Sequence, residues 1–103
     1  LKINRMGGLT RARQIRDLCV SLGLPMNIED SWGGEIATAA IAHLAHSTPA
    51  EFQIQSSAFH DYSTVSIADG APSVKDGYMS VSDTAGLGVT PILESLTNVF
   101  EFS

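Results

Sequence analysis

The sequence predicts an α/β chain whose first part is a parallel sheet of strand-helix units and whose last third follows a different pattern. Two observations carry this. Short apolar runs end near Lys2, Glu29 and Gln55, steps of 27 (29 − 2) and 26 (55 − 29) residues, and each interval holds one helical pattern. That alternation marks a parallel sheet. From Tyr62 onward it stops. A closed eight-stranded (β/α) barrel takes roughly 250 residues, or about 31 per unit. The 103 residues can therefore supply about three units of a TIM-type barrel and cannot close one.

In order along the chain, Leu9, Ala12, Ile15, Leu18, Cys19 and Leu22 recur at three- and four-residue steps, which predicts one buried stripe on a helix of about four turns. Gly23 and Pro25 stop it. The apolar run Leu24 to Ile28 then reads as a strand, with Glu29-Asp30 at its outlet and Ser31-Trp32-Gly33-Gly34 as a turn. A second helix carries Ile36, Ala40, Ile41 and Leu44 and closes at Ser47-Thr48-Pro49. Phe52 to Gln55 reads as a third strand. Beyond it, Val74 to Met79 is a hairpin around Asp76-Gly77. Asp83 to Gly88 is a loop, Pro91 opens a short helix through Leu96, and Val99 to Phe102 is a terminal strand.

Composition places the chain among globular proteins, with 44% hydrophobic and 17% charged residues. No apolar run approaches the roughly 20 residues of a membrane span. Cys19 has no partner for an internal disulfide, which fits a reducing, cytoplasmic setting. The chain opens LKINR, without an initiator Met or a leader, and is expected to be a piece of something longer. Of six basic residues, Lys2, Arg5, Arg11, Arg13 and Arg16 lie in the first 16 positions, and the net charge is −5. The three helix arginines read as a solvated face, and the acidic remainder argues against a nucleic-acid partner.

In parallel α/β sheets reactive groups collect at the C-terminal ends of strands. Lys2, Asn4, Glu29, Asp30, Ser57 and Phe59 occupy such positions. A lysine there either snorkels to solvent or is held in a site. Glu29 and Asp30 serve equally as a helix cap or as substrate contacts. Trp32 packs its loop or faces a cation through its ring. His43, His46 and His60 lack metal-site spacing and read as packing or surface residues, so no metal ligand is assigned in this chain. Asp83 to Gly88 has no Lys-Ser/Thr after its glycines and is not a phosphate loop.

The segment LKINRMGGLTRARQIRDLC resembles the sixth strand and following helix of the mandelate racemase and muconate-lactonizing enzyme family of the enolase superfamily, with Lys2-Ile3 and Gly7-Gly8 at the motif positions. IEDSWGGEIATAAIAHLAHSTP resembles the seventh strand and helix, and DGYMSVSDTAGLGV the closing segment. Within that family the wording is nearest to proline-betaine and hydroxyproline-betaine epimerases and cis-3-hydroxyproline dehydratases.

The resemblance implies that the chain is the C-terminal portion of the barrel. Residues 1–61 would be its last βα units, and 62–103 a closing segment returning to a capping domain not in this chain. It implies abstraction of a proton α to a carboxylate by Lys2, acting opposite a second lysine, and an enediolate stabilised by Mg²⁺ whose ligands lie upstream of residue 1. Glu29, Asp30, Trp32, Ser57 and Phe59 would line the substrate site. The implied substrate is a small carboxylate, including cationic amino-acid derivatives, and the implied full-length protein is a homo-oligomer. Epimerisation and dehydration share the same base. The competing reading is a non-catalytic α/β domain mediating protein contacts, in which Lys2 is an ordinary surface charge.

Overall fold

The computed structural model describes residues 1–96. A short helix, α1 (Ile3–Met6), follows directly on Lys2, and Gly7 in the left-handed region and Gly8 lead into α2 (Leu9–Ser21). Strand β1 (Met26–Ile28), helix α3 (Gly34–His46) and strand β2 (Gln53–Ser56) come next. The remaining pairs are β3 (Ala68–Asp69) with β6 (Thr90–Pro91) and β4 (Val74–Lys75) with β5 (Tyr78–Met79), both antiparallel.

β1 and β2 are parallel, with Met26 opposite Gln53 and, after a shift in register, Ile28 opposite Ser56. On the other side of β1, Lys2 bridges Glu29 in parallel, and the amide of Glu29 donates to the carbonyl of Leu1 at 2.9 Å. Three chain segments thus run side by side in one direction. This is the βα alternation read from the sequence.

One face of β1 builds the core. Met26 and Ile28 pack with Ala12 of α2 and Ile41, Leu44 and Ala45 of α3, and Leu1, Ile3, Met6, Cys19, Val20 and Phe52 close over them. Burying an aliphatic side chain of this size contributes about 1.5–3 kcal/mol, so this cluster decides how α2 and α3 lie on the sheet.

Three expectations change. The stripe on α2 is displaced: Leu9, Leu18 and Leu22 are exposed, while Ala12 and Arg16 are the buried positions. The reason is that α2 meets β1 and α3 along Ala12, Arg16, Cys19 and Val20, so that the leucine side is left largely open among the described residues. Arg16 also leaves the expected solvated face. Its guanidinium donates to the Ser47 carbonyl at 2.7 Å, to the Ser47 and Thr48 hydroxyls and to Asp17 Oδ1. Near the C terminus, Pro91 sits in β6 instead of opening a helix. The amide of Ile92 donates to Ile67 at 2.8 Å, and only Leu93–Ser95 form a turn of 3-10 helix. A proline that cannot donate is accommodated in such a short edge pair. The strand expected over Val99 to Phe102 lies outside the described residues.

The hairpin at Asp76-Gly77 forms as expected. Both residues have positive φ, 50° and 80°, the requirement of the tight two-residue turn.

Candidate active site

The parallel order brings the ends of Lys2, β1 and β2 to one rim. Lys2 Nζ stands 3.3 Å from Glu29 Oε2, with the two side chains 33% and 43% exposed. A pair this open contributes about 0.2–1 kcal/mol to stability. Its significance is therefore positional: two opposite charges meet at adjacent strand ends and remain open to solvent.

Asp30, the next residue, is 1% exposed. Its Oδ1 accepts from the Ser31 amide at 2.6 Å, and its Oδ2 accepts from the Thr38 hydroxyl at 2.5 Å and the Phe59 amide at 3.3 Å. The Asp30 amide itself donates to Ser57 Oγ at 2.7 Å. Alternation along the strand explains the contrast with Glu29, because successive side chains point to opposite faces. Asp30 lies under the rim and Glu29 lies on it. Ser57 is thereby engaged with the backbone of the neighbouring strand end.

Trp32 is held at φ 60°, a conformation uncommon for a bulky residue. Gly33 and Gly34 follow with φ 153° and 58° and turn the chain into α3. The Trp32 ring lies 4.8 Å from Phe59, centroid to centroid, and Phe59 lies 5.6 Å from Tyr62. Trp32 to Tyr62 is 6.3 Å. These spacings fall within the range of attractive aromatic pairs. Trp32 and Tyr62 are nevertheless about seven-tenths exposed, at 70% and 73%. Beside Trp32, a notch of about 140 Å³ is lined by Ile3, Asn4, Ser31, Ala37 and Ile41, and the Ser31 hydroxyl donates to Asn4 Oδ1 at its edge.

Of the residues singled out in the sequence, Lys2 and Glu29 come together as one pair and Trp32 and Phe59 as another. Asp30 and Ser57 tie the two strand ends beneath them. Three residues were missed. Tyr62 completes the aromatic group from the end of a 3-10 turn over Phe59–Tyr62, a turn too short for any periodicity in the sequence to mark. Glu35 is buried in the first turn of α3 and accepts from the Ile67 amide at 3.1 Å. Burial raises its pKa, but the amides of Glu35 and Ile67, the Ser66 hydroxyl and the charge of His60 outweigh that and hold it below the ordinary glutamate value. An Asp or Glu in a first helical turn is a usable signal for such a role. His60, expected to be unremarkable, has its Nε2 3.2 Å from Asp61 Oδ1, while its buried Nδ1 finds no partner in the structure as described. Of the other histidines, His43 Nε2 lies 3.2 Å from the Leu87 carbonyl and His46 is exposed.

Among the described residues no three His, Cys, Asp or Glu side chains converge as a metal site. Nor is any helix there long and apolar enough to cross a membrane.

A family profile described as enolase C-terminal domain-like matches residues 1–95. A curated relative, cis-3-hydroxy-L-proline dehydratase of Roseibium aggregatum, is 57% identical over 96 residues, covering 93% of this chain and 26% of the relative. The crystal structure of a mandelate racemase/muconate lactonizing enzyme from Roseovarius nubinhibens superposes with a TM-score of 0.90 at 51% identity, over 95% of this chain and 27% of that one. A member of the enolase superfamily from the same organism, complexed with magnesium, gives 0.86 at 43% identity over 94% and 27%. The chain therefore spans about a quarter of the length of these relatives.

Proposed function

Because the chain belongs to the enolase C-terminal domain-like family and forms part of a TIM-type barrel, we propose that the full-length protein is a dehydratase that removes the proton α to the carboxylate of a hydroxyproline-type substrate, with Lys2 as the base. The observation that carries this is the placement of Lys2, at a parallel strand end, 3.3 Å from Glu29 on the adjacent strand. An exposed ion pair would also suit a non-catalytic module; the catalytic reading is favoured because this pair stands at the rim where α/β barrels gather reactive groups, in a chain whose relatives are enolase-superfamily enzymes.

Residues 1–61 are assigned to the barrel and 62–103 to the closing segment. Lys2 acts in its neutral form, after its ammonium has released one proton to solvent; the free amine then takes the α-proton and returns to the ammonium that the Glu29 carboxylate stabilises. Loss of the β-hydroxyl with a proton as water then completes the dehydration. A carboxylate at the rim also pairs with a protonated ring nitrogen, and Trp32 with Phe59 offers an aromatic surface to the same cation. Ser57 completes the lining from the end of β2, and Asp30 supports it from below.

The related enzyme bound to magnesium favours a Mg²⁺-dependent reaction for the whole protein. The described residues do not make that site: Glu29 is paired with Lys2, Asp30 is saturated with hydrogen-bond donors, and no third carboxylate joins them. The ligands are assigned to the remainder of the protein. A reducing, cytoplasmic setting and a homo-oligomer belong to the same proposal.

The test is Lys2→Ala in the full-length enzyme supplied with cis-3-hydroxy-L-proline in D₂O. Turnover should fall by about 10²–10⁴-fold, the contribution of a general base, with KM within a few-fold. Unchanged turnover and unchanged α-proton exchange would remove Lys2 from the mechanism. Should the wild-type enzyme instead epimerise a proline betaine and leave cis-3-hydroxy-L-proline unchanged, the substrate class falls.

A further inference from the structure

One carboxylate holds both halves of the aromatic surface. Asp30 accepts from the amide of Ser31, immediately before Trp32, and from the amide of Phe59, whose ring packs at a tilt of 39° against Trp32 with centroids 4.8 Å apart. These ties run from the end of β1 to the turn after β2, and the Thr38 hydroxyl anchors the same carboxylate to α3. Asp30 and Thr38 are both essentially fully buried, at 1% and 0% exposure. Trp32 meanwhile keeps a positive φ of 60°, a cost of order 1–3 kcal/mol that persists only where the surroundings over-determine it.

We propose that Asp30 is a positioning residue: by fixing the Ser31 and Phe59 amides it sets the spacing of Trp32 and Phe59, and so the geometry of the surface that receives the cationic nitrogen of the substrate. This deepens the reading of the same site and rests on it for the substrate. The chemistry of the network makes the role separable from packing. Replacing Asp30 by Asn puts an NH₂ where one oxygen stood, and a backbone amide cannot accept from it. Whichever way the Asn side chain turns, either Ser31 or Phe59 loses its acceptor. The Thr38 hydroxyl, which both donates and accepts, adapts to either orientation. Thr38→Val does the reverse, removing the side-chain anchor and leaving both backbone ties.

The experiment uses the full-length enzyme labelled with 5-fluorotryptophan, the Trp32 resonance being identified by its loss in Trp32→Phe. Asp30→Asn should move that resonance in the direction that Phe59→Leu moves it, since both withdraw the Phe59 ring current. It should also raise KM for cis-3-hydroxy-L-proline about tenfold while kcat changes less than threefold, the signature of lost uniform binding. Thr38→Val should lower the unfolding midpoint and leave the resonance and KM in place. The proposal is overturned if Asp30→Asn lowers stability alone, or if Thr38→Val shifts resonance and KM as strongly. Where Asp30→Asn does not fold, amide exchange in the wild-type enzyme decides: Ser31 and Phe59 should be protected together, and free exchange at either one overturns the proposal. If Lys2→Ala retains turnover while the Trp32 resonance still follows Asp30, the catalytic reading falls and the positioning role stands.

Discussion

The guanidinium of Arg16 donates to the main-chain carbonyl of Ser47 at 2.7 Å, so that a residue of α2 caps the C-terminal end of α3. The last carbonyls of a helix have no partners within it and carry partial negative charge, and a buried cation satisfies both conditions.

Arg16→Ala in the full-length protein should therefore cost about 2–4 kcal/mol, because it strips a buried network of its charged donor. Arg16→Lys should recover less than half, since an ammonium cannot reproduce the planar fork that reaches Ser47, Thr48 and Asp17 together. Urea unfolding midpoints of the three proteins would check the order. Equal stability of Arg16→Ala and wild type would mean that the network contributes nothing.

Glu35 predicts a pH dependence. Its folded-state pKa is lowered, so the stability it contributes is fully present above the ordinary glutamate value of 4.5 and is lost as pH falls through the lowered value. Glu35→Gln should accordingly flatten the acid limb of stability against pH below roughly pH 4.5 while costing stability at neutrality. Denaturant titrations from neutrality into that range would show parallel acid limbs if Glu35 has no such role.

At Gly33 the backbone has φ 153°, and an added Cβ would stand 2.7 Å from the Cβ of Ala37. Gly33→Ala should cost about 1–3 kcal/mol through strain and overpacking, and should displace Trp32 next to it. Gly23→Ala is the natural comparison: φ is 69° there, with nothing within 4 Å of the new Cβ, and only the left-handed penalty of about 1 kcal/mol applies. Thermal melts of the two variants should rank in that order.

The 103-residue chain on its own should bind Mg²⁺ no more tightly than millimolar, as it gathers no set of hard oxygen ligands among its described residues. Titration calorimetry gives the answer. Micromolar binding that disappears with Glu29→Gln would place the metal on this chain after all.

Much of this fold was legible because its signals are local or periodic. The steps between Lys2, Glu29 and Gln55 set the parallel order, and Asp76-Gly77 marked its hairpin. What escaped depends on which side the neighbours stand. Arg16 and Leu18 both fit an amphipathic helix, and only the direction of approach of α3 decides that the arginine is buried and the leucine exposed. Glu29 and Asp30 looked interchangeable in sequence. Their division into an open charge and a buried one follows from strand alternation, with a register fixed by the bridge from Lys2. Tyr62 joins Phe59 and Trp32 only because a 3-10 turn over Phe59–Tyr62 folds back towards the rim.

The parallel run of Leu1–Lys2, β1 and β2 also gives the piece a polarity. The border at Lys2 and the border at β2, which has no further strand beside it in the structure as described, are unlike surfaces. Two copies meeting there would join head to tail and not about a two-fold axis. A contact of that kind is never satisfied by a single pairing; each addition presents a fresh border until the succession bends round on itself. The segment behaves as a tile with a leading and a trailing edge, and a ring is the shape in which neither edge is left over.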